Sequence, residues 1–199
     1  MRNSIRRTLA DEIVHCGTEA ISSEPLSKPD VLNLGCGRKR MENAINLDRT
    51  AETAPDIVHD LNQTPWPFPH DSFRTVYAYD VIEHLDDVLR VMEEVHRVSQ
   101  NGARVHITVP HISCANAFTD PTHRHYFGYS SFDYFTEDND LSFYSCARFR
   151  SRKVVLFFCP TIFSKIVWRV ANRYPAAYER RWAWIFPAWY LHFELEVVK

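Results

Sequence analysis

Two short apolar runs, residues 31–34 and 44–47, stand nine residues apart, and the gap between them opens with Gly35, Cys36 and Gly37. The first run reads as a buried strand and the second as a short strand closing on Asp48. A crossover between parallel neighbours usually takes about a dozen residues or more when it carries a helix. Here only six residues separate Gly37 from Ala44, among them Arg38, Lys39 and Arg40, so the first crossover helix must be very short or absent. The chain has five glycines and places two of them in this turn, where backbone must bend sharply and approach a ligand without a Cβ in the way. An acid at the end of the second strand is placed to accept both hydroxyl protons of a ribose. The stretch therefore predicts a nucleotide-like ligand at the carboxyl edge of a parallel sheet.

The later segments complete such a sheet. Residues 55–61 read as a short third strand, and the loop 62–71 is stiffened by Pro65, Pro67 and Pro69 around Trp66 and Phe68. In that third strand Asp60 could accept from an exocyclic amine, with Leu61 against a purine face. Residues 75–79 read as strand four, followed by Asp80, Val81, Ile82, Glu83 and His84. A helix then starts at Asp86 or Asp87, carries an apolar stripe at Val88, Val91, Met92, Val95 and Val98, and is expected to stop at Asn101 and Gly102. Strand five is expected over 103–109. This strand–helix–strand unit implies parallel strands and a right-handed crossover. Two further β-rich segments, 152–158 and 191–198, flank a stretch rich in tryptophan and arginine.

At 199 residues with 45% hydrophobic composition, the chain suits one α/β domain, 1–199. Within it we read an N-terminal helix or cap over 1–30, a core over 31–159 and 189–199, and an aromatic, basic insertion over 160–188. The N-terminal helix would align Ile5, Leu9, Ile13 and Cys16. A net charge of −2 offers no general attraction to nucleic acid. Cys16, Cys36, Cys114, Cys146 and Cys159 form an odd set without a CxxC pair, which argues against a disulfide framework and a thiolate zinc site. Neither a secretory signal nor an apolar run of membrane-spanning length is seen, so a cytoplasmic protein is expected.

The densest group of chemically useful side chains follows strand five: His111, Asp120, His123, Arg124, His125 and Tyr126. A histidine there is suited to act as a general base near neutral pH, with His123 or His125 favoured and Asp120 able to orient one of them. No metal is assigned. A sharper alternative is a metal shared by His123 and His125 with His111 or Asp120, because residues two apart in an extended segment face one side. In the insertion, a helix over 162–173 would place Phe163, Ile166, Val167 and Val170 on one stripe. Beside it stand Lys165, Arg169, Arg173, Arg180 and Arg181, along with Trp168, Trp182 and Trp184. The pattern suits an acidic or lipid-linked partner or a membrane surface, while core packing of the aromatics with solvated arginines is the simpler reading.

Taken together, Leu32 to Gly37, Leu47-Asp48, His59-Asp60-Leu61, Pro67-Phe68 with Asp71-Ser72-Phe73, and Asp80 to Leu85 resemble a class I S-adenosylmethionine-dependent methyltransferase, most closely a type 11 methyltransferase domain of the compact branch with a shortened first helix. The resemblance covers residues 31–110. It implies a Rossmann-like, three-layer α/β/α fold with a seven-stranded sheet of order 3-2-1-4-5-7-6, strand seven antiparallel. It also implies S-adenosyl-L-methionine as cofactor, with Gly35, Cys36 and Gly37 against its methionine part and Asp48 on the ribose. Asp60 and Leu61 would flank the adenine, and Asp80 would lie by the methionine end. Arg38, Lys39 and Arg40 depart from the small residues the family commonly has, and the insertion lies outside its common pattern.

The expected function is transfer of a methyl group to an oxygen or nitrogen of a small molecule or a glycan or lipid precursor, with peripheral membrane contact through 162–186. Two other readings stand beside it, a non-catalytic S-adenosylmethionine-binding regulatory or partner protein and a metal-assisted methyltransferase. A dinucleotide oxidoreductase is disfavoured because the third small residue of GxGxxG falls on Arg40. A phosphate-binding P-loop is excluded because GxxxxGK[ST] is missing.

Overall fold

In the computed structural model, residues 29–160 and 164–199 are described. The expected N-terminal helix with Ile5, Leu9, Ile13 and Cys16, and Phe163 of the insertion, lie outside the described residues. Seven strands, β1 (Val31–Leu34), β2 (Ile45–Asp48), β3 (Ile57–Val58), β4 (Phe73–Tyr79), β5 (Ser99–Pro110), β6 (Arg148–Phe158) and β7 (Ala188–Val198), form one sheet in the order β3-β2-β1-β4-β5-β7-β6. The first five pair in parallel, and β7 runs antiparallel to both β5 and β6. This is the order and strand direction that the family resemblance implies.

The longest described helix of the core is α1 (Val88–Val98), which begins where Asp87 accepts a hydrogen bond from the Arg90 N–H. Its stripe of Val91, Met92, Val95 and Val98 is buried against the sheet. The helix ends at Val98, earlier than expected. Ser99 already pairs with Phe73, and Gly102, at φ +78, lies within β5 where the register against β4 shifts. Asn101 and Gly102 thus accommodate an irregular strand start instead of stopping a helix. β6 also starts earlier than expected, at Arg148. Only Ile57 and Val58 of the expected third strand make ladder pairs.

Alternation along β4, β5 and β7 sends Val76, Ala78, Val105, Ile107, Leu191, Phe193 and Leu195 into one core, which Phe132, Phe135 and Trp66 complete. At about 25 cal/mol per Å² of apolar surface, each buried Val, Leu, Ile or Phe among these contributes roughly 1.5–3 kcal/mol. On the other face, Tyr77, His106 and His192 stack across β4, β5 and β7 at ring separations of 5.0 and 5.7 Å. The prolines around Trp66 are held down by a buried ion pair. Glu94 accepts from the Trp66 N–H, and Arg97 binds Glu94 and donates to the carbonyls of Trp66 and Phe68.

Between β6 and β7 lie α2 (Ser164–Arg173) and α3 (Pro175–Arg181). Asn172 pins α2 to the edge strand β6 by bonding both the N–H and the C=O of Leu156. Tyr178, buried, donates its hydroxyl to the Phe186 carbonyl and accepts from the Ala188 N–H. Core packing of the aromatics is corrected by the structure: Trp184 is 69% exposed and Ile166 67%, with Trp168, Val170, Trp182, Ile185 and Phe186 also exposed. A stripe of helical spacing was therefore present, but no described element covers it. Among the described residues no helix is long and apolar enough to cross a membrane.

Candidate active site

The short crossover after β1 is organised by amides instead of a helix. Asn33, buried in β1, donates to the Asn46 side-chain oxygen and to the Lys39 carbonyl. Asn46 in turn accepts from the Met41 N–H and donates to Met41, Ala44 and Asp56. These bonds pull Asp56 below the usual carboxylate range, first through the Asn46 backbone N–H and then its side chain. Arg40 turns onto the Ala54 carbonyl and Asp56. Neither asparagine was singled out from the sequence. A polar residue at an inward strand position was the available signal, since a buried amide requires partners.

Gly35 (φ +58) and Gly37 (φ +51) are both left-handed, and a Cβ on Gly35 would come within 2.4 Å of Val81 Cγ2. The turn is clamped to β2, with Gly37 N–H donating to Asp48 Oδ2 at 2.8 Å while Asp48 Oδ1 accepts from Thr50 N–H. Cys36 is buried, and burial first, with the Asp48 charge second, raises its thiol above the ordinary value. Asp60 ends the third segment and accepts from Asn62 N–H. Leu61 is buried, its carbonyl accepting from the Trp66 indole.

At the end of β4 the chain turns through Asp80, a non-glycine residue at φ +54. Such a conformation costs about 1–3 kcal/mol and persists only where surroundings impose it. Thr108 donates to Asp80 Oδ1, and Lys39 Nζ lies 3.8 Å from Oδ2. A single 3₁₀ turn, Ile82–His84, follows. The carbonyl of Glu83 accepts from the N–H groups of Arg124 and His125, which stitches the loop after β5 across this turn.

One cleft of about 470 Å³ joins these parts, a size usual for small-molecule sites. Gly35, Asp48, Asp60, Leu61 and Asp80 line it together with His84, Thr122 and Arg124. Adjoining His84, the Glu83 side chain is 1% exposed and His123 7%, with His123 Nε2 4.0 Å from Glu83 Oε1. Burial first, then the charge of Asp80, pushes the Glu83 carboxyl up to about 8. His84 is lowered, chiefly by burial and then by His123, whose ring stands edge-on 4.6 Å away. Asp120 accepts from both the N–H and the hydroxyl of Thr122, which holds its carboxyl below the usual range. The Nε2 of His125 is buried without a partner.

His111 lies apart from this group. It is fully buried, its Nδ1 accepts from Ser113 N–H, and its Nε2 bonds Glu179 of α3. Glu179 also accepts from Tyr129 N–H; burial raises its carboxyl, but these bonds outweigh it and leave it lowered. The sequence thus located the loop but missed Glu83 and His84 as its counterparts. Among the described residues, the group that could share a metal is Glu83, His84 and His123, not His123 with His125, His111 or Asp120.

Residues 32–107 match a family described as "Methyltransferase domain". Among solved structures, the chain is similar to a SAM-dependent methyltransferase from Archaeoglobus fulgidus, at 16% identity and a TM-score of 0.60, covering 98% of this chain and 94% of that one. A second, from Mesorhizobium loti, has 17% identity and a TM-score of 0.54, covering 83% and 89%. A third is phosphoethanolamine N-methyltransferase 2 of Haemonchus contortus in complex with S-adenosyl-L-methionine, at 11% identity and a TM-score of 0.53, covering 87% of this chain and 50% of that one. No curated protein matches the chain by sequence. The sheet order, the glycine turn and the matched segment agree: residues 32–107 match the methyltransferase-domain family, and the chain has the fold of these solved methyltransferases.

Proposed function

We propose that the protein transfers a methyl group from S-adenosylmethionine to an oxygen or nitrogen atom of a small molecule or of a glycan or lipid precursor. The observation that carries this reading is the continuity of a single cleft from Gly35, Asp48 and Asp60 to His84, Thr122 and Arg124. The cofactor supplies an electrophilic methyl carbon on a positively charged sulfur. The residues present suit it. Gly35 offers backbone without a Cβ, and Cys36 and Gly37 complete the turn that would hold the methionine part. Each Asp48 oxygen accepts one backbone N–H and retains a lone pair for a ribose hydroxyl. Asp60 and Leu61 would flank the base, and Asp80 would stand at the methionine end.

The chain's own task is then to hold the acceptor in line and to take up its proton. Alignment alone can supply several kcal/mol of barrier reduction, up to about 7–11 in favourable cases. The proton-accepting region is the group of Glu83, His84 and His123, with Asp120 orienting His84 through Thr122, and with His125 beside it in the same loop. His111 instead ties the start of the loop after β5 to α3 through Glu179.

The test is formation of S-adenosylhomocysteine that depends on an added acceptor, using panels of hydroxylated and amino metabolites and glycan-lipid precursors. Turnover lost in His123→Ala with unchanged S-adenosylhomocysteine affinity supports the reading. Tight cofactor binding without turnover on any acceptor would favour a non-catalytic, regulatory S-adenosylmethionine-binding protein.

One observation favours a lipid-linked acceptor within this class. The exposed aromatics of the insertion stand among Lys165, Arg169, Arg173, Arg180 and Arg181, while its one acid, Glu179, is engaged by His111 and Tyr129. A segment that combines exposed apolar rings with an excess of cations suits the interface of an anionic membrane.

A further inference from the structure

We propose that Glu83, His84 and His123 form a binding site for one divalent transition-metal ion of the zinc type, beside the cleft. One ligand atom from each lies within 4.8 Å of the other two. Tetrahedral coordination at about 2.0–2.1 Å places donors roughly 3.4 Å apart, so closure needs small side-chain movements only.

Hydrogen bonding prepares both rings for this role. The Ala117 carbonyl, 3.0 Å from His123 Nδ1, can only accept, so Nδ1 carries the proton and the Nε2 of the neutral ring has a lone pair. Thr122 gives its hydroxyl proton to Asp120 at 2.6 Å, so its oxygen must accept from His84 Nδ1 at 2.8 Å. That leaves a lone pair on His84 Nε2 as well. A histidine whose second nitrogen is tied to a carbonyl or a carboxylate-linked partner is what metal sites require of their supporting groups.

The third donor points the same way. Glu83 is almost wholly buried, and its Oε2 has no hydrogen-bond partner. A buried oxygen of this kind is costly unless a cation or proton meets it. The nearby cations are engaged elsewhere, Arg124 with Asp86 and Lys39 with Asp80. Two imidazoles and a carboxylate match catalytic zinc sites with three protein ligands and one open position, and they disfavour magnesium and calcium, which take oxygen ligands.

Because His84 lines the cleft, the open position would be reached from it. Resting on the methyl-transfer reading, a bound ion would replace the proton-accepting role of these three side chains: it would dock an acceptor hydroxyl and raise its acidity, with the proton leaving to solvent through the cleft. This would make the acceptor an alcohol, phenol or sugar hydroxyl in preference to an amine.

The test uses full-length protein purified without a histidine tag, stripped of metal and titrated with Zn²⁺ and Co²⁺. Calorimetry should find about one ion per chain, and Co²⁺ should give the visible absorption of a low-coordinate site. His84→Ala and His123→Ala should abolish both signals, and Thr122→Val should weaken affinity by about 10–100-fold, since it removes only the partner of His84. S-adenosylhomocysteine affinity, measured on the same samples, reports that each variant is folded. Failure of wild-type protein to bind either ion, or binding unchanged in His84→Ala and His123→Ala, overturns the metal site while intact cofactor binding leaves the methyltransferase reading standing. Loss of cofactor binding by wild-type protein would overturn that reading instead, whatever metal is found.

Discussion

Replacing Gly35 by alanine tests the central turn in one atom. The new Cβ would lie 2.4 Å from Val81 Cγ2 and 2.8 Å from Val81 Cβ, both closer than carbon atoms tolerate. Two costs add. The left-handed φ of +58 costs an L-residue about 1–2 kcal/mol, and overpacking a fixed neighbour costs about 1–3 kcal/mol. The expected loss is about 3 kcal/mol, which for a chain of this size lowers Tm by roughly 6–12 °C. Combining Gly35→Ala with Val81→Gly removes both close contacts and leaves only the backbone strain. A double-mutant cycle in urea should therefore return a coupling of about 1–3 kcal/mol. Affinity for S-adenosylhomocysteine should fall about tenfold or more in Gly35→Ala, equivalent to about 1.4 kcal/mol. A coupling below about 0.5 kcal/mol, with normal affinity, would show that the turn moves aside and that its closeness to Val81 does not shape the site.

Two further outcomes are expected. His192 is held down to about 4 by burial first, then by His106 and Lys153, so between pH 6.5 and 4 the unfolded chain binds a proton that the folded chain refuses. Stability is thus lost as pH falls through that window, by on the order of 3 kcal/mol from this residue. Urea unfolding at pH 7 and pH 4.5 should show a smaller acid loss in His192→Phe than in wild type, and equal losses would refute the assignment. The exposed aromatic patch should bind vesicles containing phosphatidylserine in preference to phosphatidylcholine alone, less so at high salt. Trp184→Ala and Arg180→Gln/Arg181→Gln should each weaken cosedimentation, and binding indifferent to lipid charge would remove the membrane from the account.

The glycine turn and α1 were legible because each rests on local chemistry, a turn only glycine suits, an aspartate cap and an apolar stripe of helical period, whereas the strand order followed from the resemblance to a known family. The early start of β6 was hidden. Arg148, Arg150 and Arg152 alternate with residues that are not uniformly apolar, and Arg150 and Arg152 are accommodated by Glu196 on β7. Charge on an edge strand protects it from wrong pairing but masks its period. The insertion failed for the opposite reason. A stripe of helical spacing says that a face is apolar, not that the same chain covers it, and here Ile166 and Val170 face outward.

The site divides along the same line. Gly35, Asp48, Asp60 and Asp80 each stand at the end of a strand, so chain order alone brought them to one edge. Glu83 and His84 were read only as part of the block after β4 that carries the family resemblance, because their chemical role depends on a loop some forty residues later. Two hydrogen bonds from that loop to the Glu83 carbonyl set His123 against the Glu83 carboxyl, and Asp120 reaches His84 only through the Thr122 hydroxyl. The sequence can supply histidines, but it does not say which ring nitrogen keeps its lone pair. That choice is made by Ala117, Thr122 and Asp120, one of them through a backbone carbonyl that no side-chain pattern reveals. The chemical character of the cleft, a proton acceptor or a metal centre, therefore follows from the partners of these two rings more than from their presence.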